Sequence, residues 1–388
     1  MQSIPGQTEA TRARIGLVGS GFIASGLLRL LDQSTDLVPS ALLSRRPKDS
    51  LDGRLAELHT DSLAHLLESS DLVVECSGDV RWGADVIHAA MRAGKPVVTM
   101  GSEFHVTIGS WFVGHGGILT EAEGDQPGSL AALHEECLTM GFKPLVYGNI
   151  KGFLNHTPTA EDMEYWGGRQ GISLPQVTSF TDGTKLQMEQ AFVGNGLGAD
   201  ILRQGLEGPA DLDLQQGGKF LGERAKALGK PIVDYLLNRN LPAGVFIVAE
   251  HPSEDPAVLR YFKLGDGPFY TILRPFHLCH LEAPRTIRRV LRGEGSLLNN
   301  SAHPTLGVCA IAKRKLTAGT AIPRATGGFD VRGEAARLAD TRDAVPVGLL
   351  DGAVMRRDVD AGETVSIDDV DLPDCLATRA WHDLRTRI

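Results

Sequence analysis

Arg14-Ile-Gly-Leu-Val-Gly19-Ser-Gly21-Phe-Ile-Ala24 reads as an apolar run, a glycine turn and the start of a second apolar stretch. Gly19 to Ala24 match the spacing G-x-G-x-x-G/A, in which glycines permit a tight turn and let the backbone approach a pyrophosphate. The spacing alone is a weak signal. Here it lies between a predicted strand, Ile15–Val18, and a predicted helix through Leu27–Leu31, whose free N–H groups would face the phosphates. Gly19, Ser20, Gly21, Phe22 and Ile23 are therefore candidate dinucleotide contacts, with an ordinary tight turn as the competing reading.

Outward from that loop the pattern repeats. Leu37–Leu43 predicts a second strand, Asp71–Cys76 a third and Lys95–Met100 a fourth, with a helical stretch at Gly83–Ala93. Strands alternating with helices predict an α/β chain with a Rossmann, doubly wound parallel sheet. After the second strand, where an acidic residue would hold the ribose hydroxyl of NAD, the chain has Ser44-Arg45-Arg46. Two guanidinium forks suit a 2′-phosphate, so the expected cofactor is NADP, with NAD as the alternative and solvated loop charges as the bland reading. Ser77 and Gly78 end a strand where the nicotinamide ribose would lie.

This cofactor domain is expected to span residues 1–150. Residues 151–302 read as an α+β substrate domain, with a helix near Lys185–Val193 and strand-like runs at Val245–Ala249 and Phe269–Leu273. Residues 303–388 read as a small β domain of short strands. In it Leu316-Thr-Ala-Gly319-Thr and Val359-Asp-Ala-Gly362-Glu-Thr resemble each other, which suggests internal duplication.

The 388 residues suffice for two or three cores, and 42% hydrophobic with 22% charged residues is a globular composition. A net charge of -9 argues against nucleic acid, whose backbone needs a basic surface. The five cysteines are widely spaced and form no CxxC pair, which fits reduced thiols. The first ten residues lack a leader pattern, and no run of about 18 apolar residues occurs, so the expectation is a cytoplasmic protein with no membrane partner.

The chemistry concentrates in Ser179-Phe-Thr-Asp182-Gly-Thr-Lys185-Leu-Gln-Met-Glu189. If Asp182 caps a helix, Asp182, Lys185 and Glu189 share one face, and a cation between two carboxylates suits protonation of a carbonyl oxygen as hydride arrives. An exposed helix start with an ion pair is the alternative. A second cluster, Arg274-Pro-Phe-His277-Leu-Cys-His280-Leu-Glu282, makes His277 an acid, base or substrate ligand. Its two histidines and Glu282 also have metal-ligand character, but no matching set occurs elsewhere and no metal is expected. In Tyr147-Gly-Asn-Ile-Lys151-Gly-Phe-Leu-Asn155, Lys151 is placed to meet an anionic substrate.

Several segments together resemble homoserine-dehydrogenase-like NAD(P) oxidoreductases that carry a C-terminal SAF (β-clip) domain. They are Gly19–Ala24, Met100–Gly109, Glu123-Gly-Asp125-Gln-Pro127, Phe180–Lys185 and Arg274–Leu278. The resemblance implies that Lys185, Lys151 and His277 belong to the substrate site. Glu103, Arg274 and Asn155, in or beside these segments, are expected to contact substrate. Residues 303–388 would be the SAF-like domain. Homoserine dehydrogenases proper carry a lysine after the strand matched by Val97–Met100, where this chain has Gly101-Ser102-Glu103, so homoserine is not the expected substrate.

The functional expectation is an NADP enzyme, forming a homo-oligomer, that acts on a polyhydroxylated anionic carbonyl or alcohol. Relatives similar to deoxyxylulose-phosphate reductoisomerase and to sugar-acid oxidoisomerases imply an alternative in which carbon rearrangement accompanies hydride transfer. A nucleotide sensor with a sugar-binding SAF domain is the non-enzymatic reading, against which the Asp182, Lys185 and Glu189 grouping argues.

Overall fold

A computed structural model describes residues 12–387, so the amino-terminal ten residues read above for a leader lie outside the described residues. The first unit runs β1 (Ala13–Val18), α1 (Phe22–Asp32), β2 (Leu37–Leu43), α2 (Gly53–Leu58), β3 (His59–Thr60), α3 (Leu63–Ser69), β4 (Leu72–Glu75), α4 (Val80–Arg92) and β5 (Val97–Thr99). It continues through α5 (Ser102–Phe104), a π-helical turn at His105–Gly109, α6 (Ser110–Gly114) and β6 (Leu119–Glu121). All six strands are parallel, in the order β3-β2-β1-β4-β5-β6. Ile15, Leu17, Val18, Leu72, Val73 and Val74 are fully buried, because helices cover both faces and leave no wet side to alternate toward.

The second unit contains α7 (Gln126–Thr139), β7 (Lys143–Lys151), α8 (Ala160–Gln170), α9 (Leu174–Thr181), α10 (Thr184–Leu197), α11 (Leu214–Leu228), β8 (Ile232–Leu237), β9 (Val245–Glu250), α12 (Pro256–Tyr261), β10 (Tyr270–Arg274) and α13 (Ala283–Leu291). Its mixed sheet has the order β10-β9-β7-β8, with only β7 and β8 parallel. The six-stranded sheet thus ends with Glu121. The expected boundary at residue 150 therefore falls inside β7 (Lys143–Lys151), a central strand of the second sheet.

The third unit has β11 (Leu306–Ala312), β12 (Ala321–Ile322), β13 (Val331–Arg337), β14 (Ala353–Met355) and β15 (Val370–Asp371), then α14 (Leu376–Arg385). The two look-alike segments pair with each other: the Leu316 and Val359 backbones exchange hydrogen bonds of 2.9 and 2.8 Å. Gly319 and Gly362 both turn at positive φ, 85° and 88°. The helix α14 departs from the all-β reading. It packs on α4 and α6 of the first unit, where Trp111 Nε1 donates to Asp383 at 2.8 Å.

Helix α10 joins the three units. Most of its residues are buried, polar ones included, and each polar side chain has a specific partner. Gln187 donates to Gly205 O at 2.8 Å and accepts from Ala335 N at 2.9 Å, while Asn195 accepts from Thr305 N and Leu306 N. Among the described residues all five cysteines are free thiols, and no helix is long and apolar enough to cross a membrane.

Candidate active site

The glycine loop leaves β1 with Gly19 at φ 99°, where a Cβ would stand 3.0 Å from the backbone at Cys76 and Ser77. Gly21 is the N-cap of α1, without a side-chain cap, and the space before it is open: a Cβ there would meet nothing within 4 Å. Uncapped N–H groups facing open space fit a pyrophosphate. Ser20 and Ser44 hydroxyls lie 2.9 Å apart, and Ser44 Oγ accepts from Arg46 N at 3.1 Å. The Arg46 side chain is exposed, whereas Arg45 pairs with Asp79 at 2.7 Å and lies 4.6 Å from the Trp82 ring centroid. Buried Glu75 accepts from Ser77 N at 2.8 Å, from the Ser77 hydroxyl and from Thr99 Oγ1 at 3.1 Å, which fixes the turn carrying Gly78. Phe22 is exposed at the loop's rim and meets the His280 ring edge-on, with centroids 5.3 Å apart; Ile23 follows it in the first turn of α1.

The open space at Gly21 makes a variant informative. Gly21→Val adds a branched side chain without a clash inside the protein, so the fold should persist while dinucleotide binding falls by at least tenfold, about 1.4 kcal/mol. Calorimetric titration with NADPH checks this, and unchanged affinity would move the pyrophosphate elsewhere.

Past the ends of β5 and β6, one cluster gathers residues from five segments. Lys185 Nζ of α10 donates to Ser102 Oγ at 2.6 Å and to Asp125 Oδ2 at 3.2 Å, and stands 3.6 Å from Glu189 Oε1 one turn on. Lys151, at the end of β7, reaches Glu189 Oε2 at 3.9 Å and Gln126 Oε1 at 3.4 Å. Asn149 Nδ2 donates to Glu189 at 3.1 Å and to Gln126 Oε1; Gln126 Nε2 donates to His277 Nε2 at 3.2 Å. The Lys185 and Lys151 side chains keep 23% and 18% of their surface exposed against 4% for Glu189, so the two lysines are the solvent-accessible members of the cluster and the carboxylate is its buried one.

Burial works against the charge on Lys185, but the Asp125 and Glu189 carboxylates outweigh it and hold its pKa above the usual lysine range. Burial likewise pushes Asp125 upward, and the Lys185 ammonium reverses this, leaving it below its ordinary value. Glu189 stays raised, because its desolvation exceeds the help from Lys151 and Lys185. The site thus holds a fixed ammonium beside one firmly ionised carboxylate.

Lys151, Lys185, Glu189 and His277 come together, but four other expected site residues are engaged differently. Asp182 does not share the Lys185 face. Gly183, at φ 85°, breaks the chain between α9 and α10, and Asp182 turns to Lys313 of the third unit at 2.5 Å, both side chains being almost fully buried. Arg274 is consumed by Glu123 at 2.7 Å and by Glu282, a pairing that forms because β10 ends beside the β6–α7 connection. Asn155 closes a local turn, its Oδ1 accepting from Thr157 N at 3.1 Å. Glu103 accepts from Thr326 Oγ1 of the third unit at 2.5 Å, and desolvation by burial pushes its pKa to about 7. His280 packs over Gly26 and Phe22 rather than beside His277, and no metal-ligand cluster occurs among the described residues.

Ser102, Asp125, Gln126 and Asn149 escaped the residue-by-residue reading. Asp125 carried one usable signal: it occupies the N-cap of α7, just before a first turn containing Pro127, yet its carboxylate does not cap that helix. At Gly101-Ser102-Glu103, which lacks a lysine, the ammonium arrives instead from α10.

Two family models match the chain. Residues 19–104 match "Homoserine dehydrogenase, NAD binding domain", and residues 124–283 match "Oxidoreductase DRL, catalytic domain". No curated protein matches it by sequence. A Staphylococcus aureus homoserine dehydrogenase structure is 22% identical over 24% of this chain and 26% of its own, with a TM-score of 0.22, so the chain spans about a quarter of that protein. A probable dehydrogenase from Thermotoga maritima is 15% identical over 74% of this chain and 91% of its own, with a TM-score of 0.42. A UDP-N-acetylglucosamine 3-dehydrogenase from Acidithiobacillus ferrooxidans is 11% identical over 74% and 92%, with a TM-score of 0.39. These distant structures do not bear on the substrate. The two matched models cover the glycine loop and the lysine cluster respectively, and the chain is an NAD(P)-dependent oxidoreductase.

Proposed function

We propose that this oxidoreductase uses NADP and moves hydride to or from a CH–OH carbon of a polyhydroxylated, anionic substrate of the sugar-acid or sugar-phosphate type. The observation that carries the reading is the pair of partly exposed lysines, Lys151 and Lys185, whose ammonium groups flank the buried Glu189 carboxylate. Two such donors bind a carboxylate or phosphate and stabilise negative charge developing on the reacting oxygen. When bound, the nicotinamide supplies or accepts the hydride. Lys185 holds the oxygen, Gln126 and Asn149 keep Lys151 and Glu189 in place, and His277 closes the far side of Gln126. A panel of sugar acids, sugar phosphates and their neutral analogues, assayed with both redox forms of the cofactor and with product analysis, tests this. Turnover confined to neutral substrates would overturn it.

The preference for NADP rests on Ser20, Ser44 and the exposed Arg46 standing together beside the end of β2, while Arg45 is turned to Asp79. Charge-assisted hydrogen bonds contribute about 1.5–3 kcal/mol each, so NADPH should bind about tenfold to a hundredfold more tightly than NADH, and Arg46→Ala should remove most of the difference. Titration with both nucleotides decides it, and equal affinity would return these arginines to solvated loop charges.

A further inference from the structure

The function proposed above makes no use of the third unit, although that unit touches the chain on both sides of Lys185. On one side Gly333 N donates to Thr184 Oγ1 at 3.0 Å and Lys313 pairs with Asp182. On the other, Ser102 accepts from Lys185, and the next residue, Glu103, accepts from Thr326 Oγ1 at 2.5 Å. Thr326 stands in the connection between β12 and β13, which is tied down around it. Ala325 N donates to Asp351 Oδ1 at 2.6 Å, Gly328 O accepts from Lys313 at 2.7 Å, and Gly327 lies so close to α9 that a Cβ there would run into the Pro175 carbonyl. The backbone that carries the Thr326 hydroxyl is therefore held in place by the fold of the third unit.

Glu103 is gripped but not used up. A Cβ on Gly348 would stand 3.3 Å from Glu103 Cγ, so third-unit backbone packs along its stem, and Oε1 is taken by Thr326. Oε2 has no hydrogen bond among the described residues and is not closed off from solvent. Glu103 and Thr326 are half-buried, as is Lys185. Burial lifts the Glu103 carboxyl to about 7 in spite of the Thr326 hydrogen bond, and carboxyls perturbed in this way cluster at functional sites. An oxygen left open on the residue next to the serine that holds Lys185 suits a second hydroxyl of a polyhydroxylated substrate. A substrate without that hydroxyl would leave the oxygen desolvated and unpaired, which is how polar sites discriminate.

We propose that the third unit is a substrate-specificity element: Thr326 positions Glu103, and Glu103 Oε2 accepts a hydrogen bond from a substrate hydroxyl other than the one at the reacting carbon. The substrate class this implies has at least two hydroxyl-bearing carbons. The proposal rests on the reading of Lys185 as the group that meets the reacting oxygen. Glu103 then binds substrate directly, whereas Thr326 acts through Glu103 and is a positioning residue.

Thr326→Val tests this, since it keeps the shape of the side chain and removes the hydroxyl. The probes are short-chain aldonates and aldose phosphates with their monodeoxy analogues. The wild-type protein should favour a parent compound over one of its deoxy analogues by about tenfold or more in kcat/KM. Thr326→Val should raise KM for the parent about tenfold at a kcat within a few-fold of wild type, leave KM for that analogue unchanged, and leave NADPH affinity unchanged. Thr326→Ser, which restores a hydroxyl, should recover the preference. Glu103→Met, which keeps the stem and removes both oxygens, should abolish it, and gives the same comparison if Thr326→Val unfolds. Wild-type KM values in Thr326→Val, or a rise in KM equal for the parent and all its analogues, would overturn the proposal and leave Thr326–Glu103 a tie between units. Calorimetric titration of the NADPH complex with the same probes makes the comparison without turnover, and a failure of every polyhydroxylated probe to bind would overturn it too. If Lys185→Met turned over like wild type while Thr326→Val still lost the preference, the failure would lie with the reading of Lys185 and not with Glu103.

Discussion

Lys185→Met should lower kcat about a hundredfold or more while leaving NADPH affinity within a few-fold of wild type. Methionine keeps most of the length and packing of the lysine stem and deletes only the ammonium. The effect is expected on kcat because three groups of the protein, Ser102, Asp125 and Glu189, already hold the Nζ in position, so it is preorganised toward charge that develops as the reaction proceeds. Its removal also leaves Asp125 beside Glu189 without the cation between them. Some loss of stability should accompany the loss of rate, and thermal unfolding with and without NADPH separates the two. Steady-state kinetics on the substrate found by the panel, together with an NADPH titration, give the answer. A variant with kcat within a few-fold of wild type would remove Lys185 from the chemistry.

Lys313→Met should destabilise the protein by about 3–5 kcal/mol, the usual cost of removing one partner of a buried ion pair. Lys313 is 4% exposed, Asp182 is fully buried, and the ammonium also donates to Gly328 O at 2.7 Å. The pair pins the third unit to the turn from which α10 starts, so the single variant should also disturb the placement of Lys185. Asp182→Asn combined with Lys313→Met removes the stranded charge and should recover a large part of the lost stability. Denaturant unfolding of the wild type, the two single variants and the double variant measures the coupling. A double variant as unstable as the sum of the singles would show that the contact is not an energetic link between the units.

The features legible in the sequence are those whose partners lie within a turn or two along the chain. The glycine loop, the alternation of strand and helix and the i,i+4 relation of Lys185 to Glu189 all follow from local backbone geometry. The duplicated Ala-Gly turns were legible too, although only their antiparallel pairing shows that they lie side by side. Asp182 marks the limit. A periodicity argument assumes an unbroken helix, and the left-handed Gly183 rotates Asp182 off the Lys185 face and toward a lysine 131 positions later.

By itself the sequence determined that the chain opens with a dinucleotide-binding α/β unit and that a lysine with a carboxylate one turn away sits on a helix beyond it. Only the tertiary structure decided which partners those groups have. Ser102 and Asp125 reach Lys185 across 83 and 60 positions, and Arg274 is spent on Glu123 across 151. The physical reason is that a charge in a desolvated interior must be paired, and the partner is whichever group the strand order brings alongside. Strand order arises from burial summed over whole sheets, a property that no single segment of the chain displays.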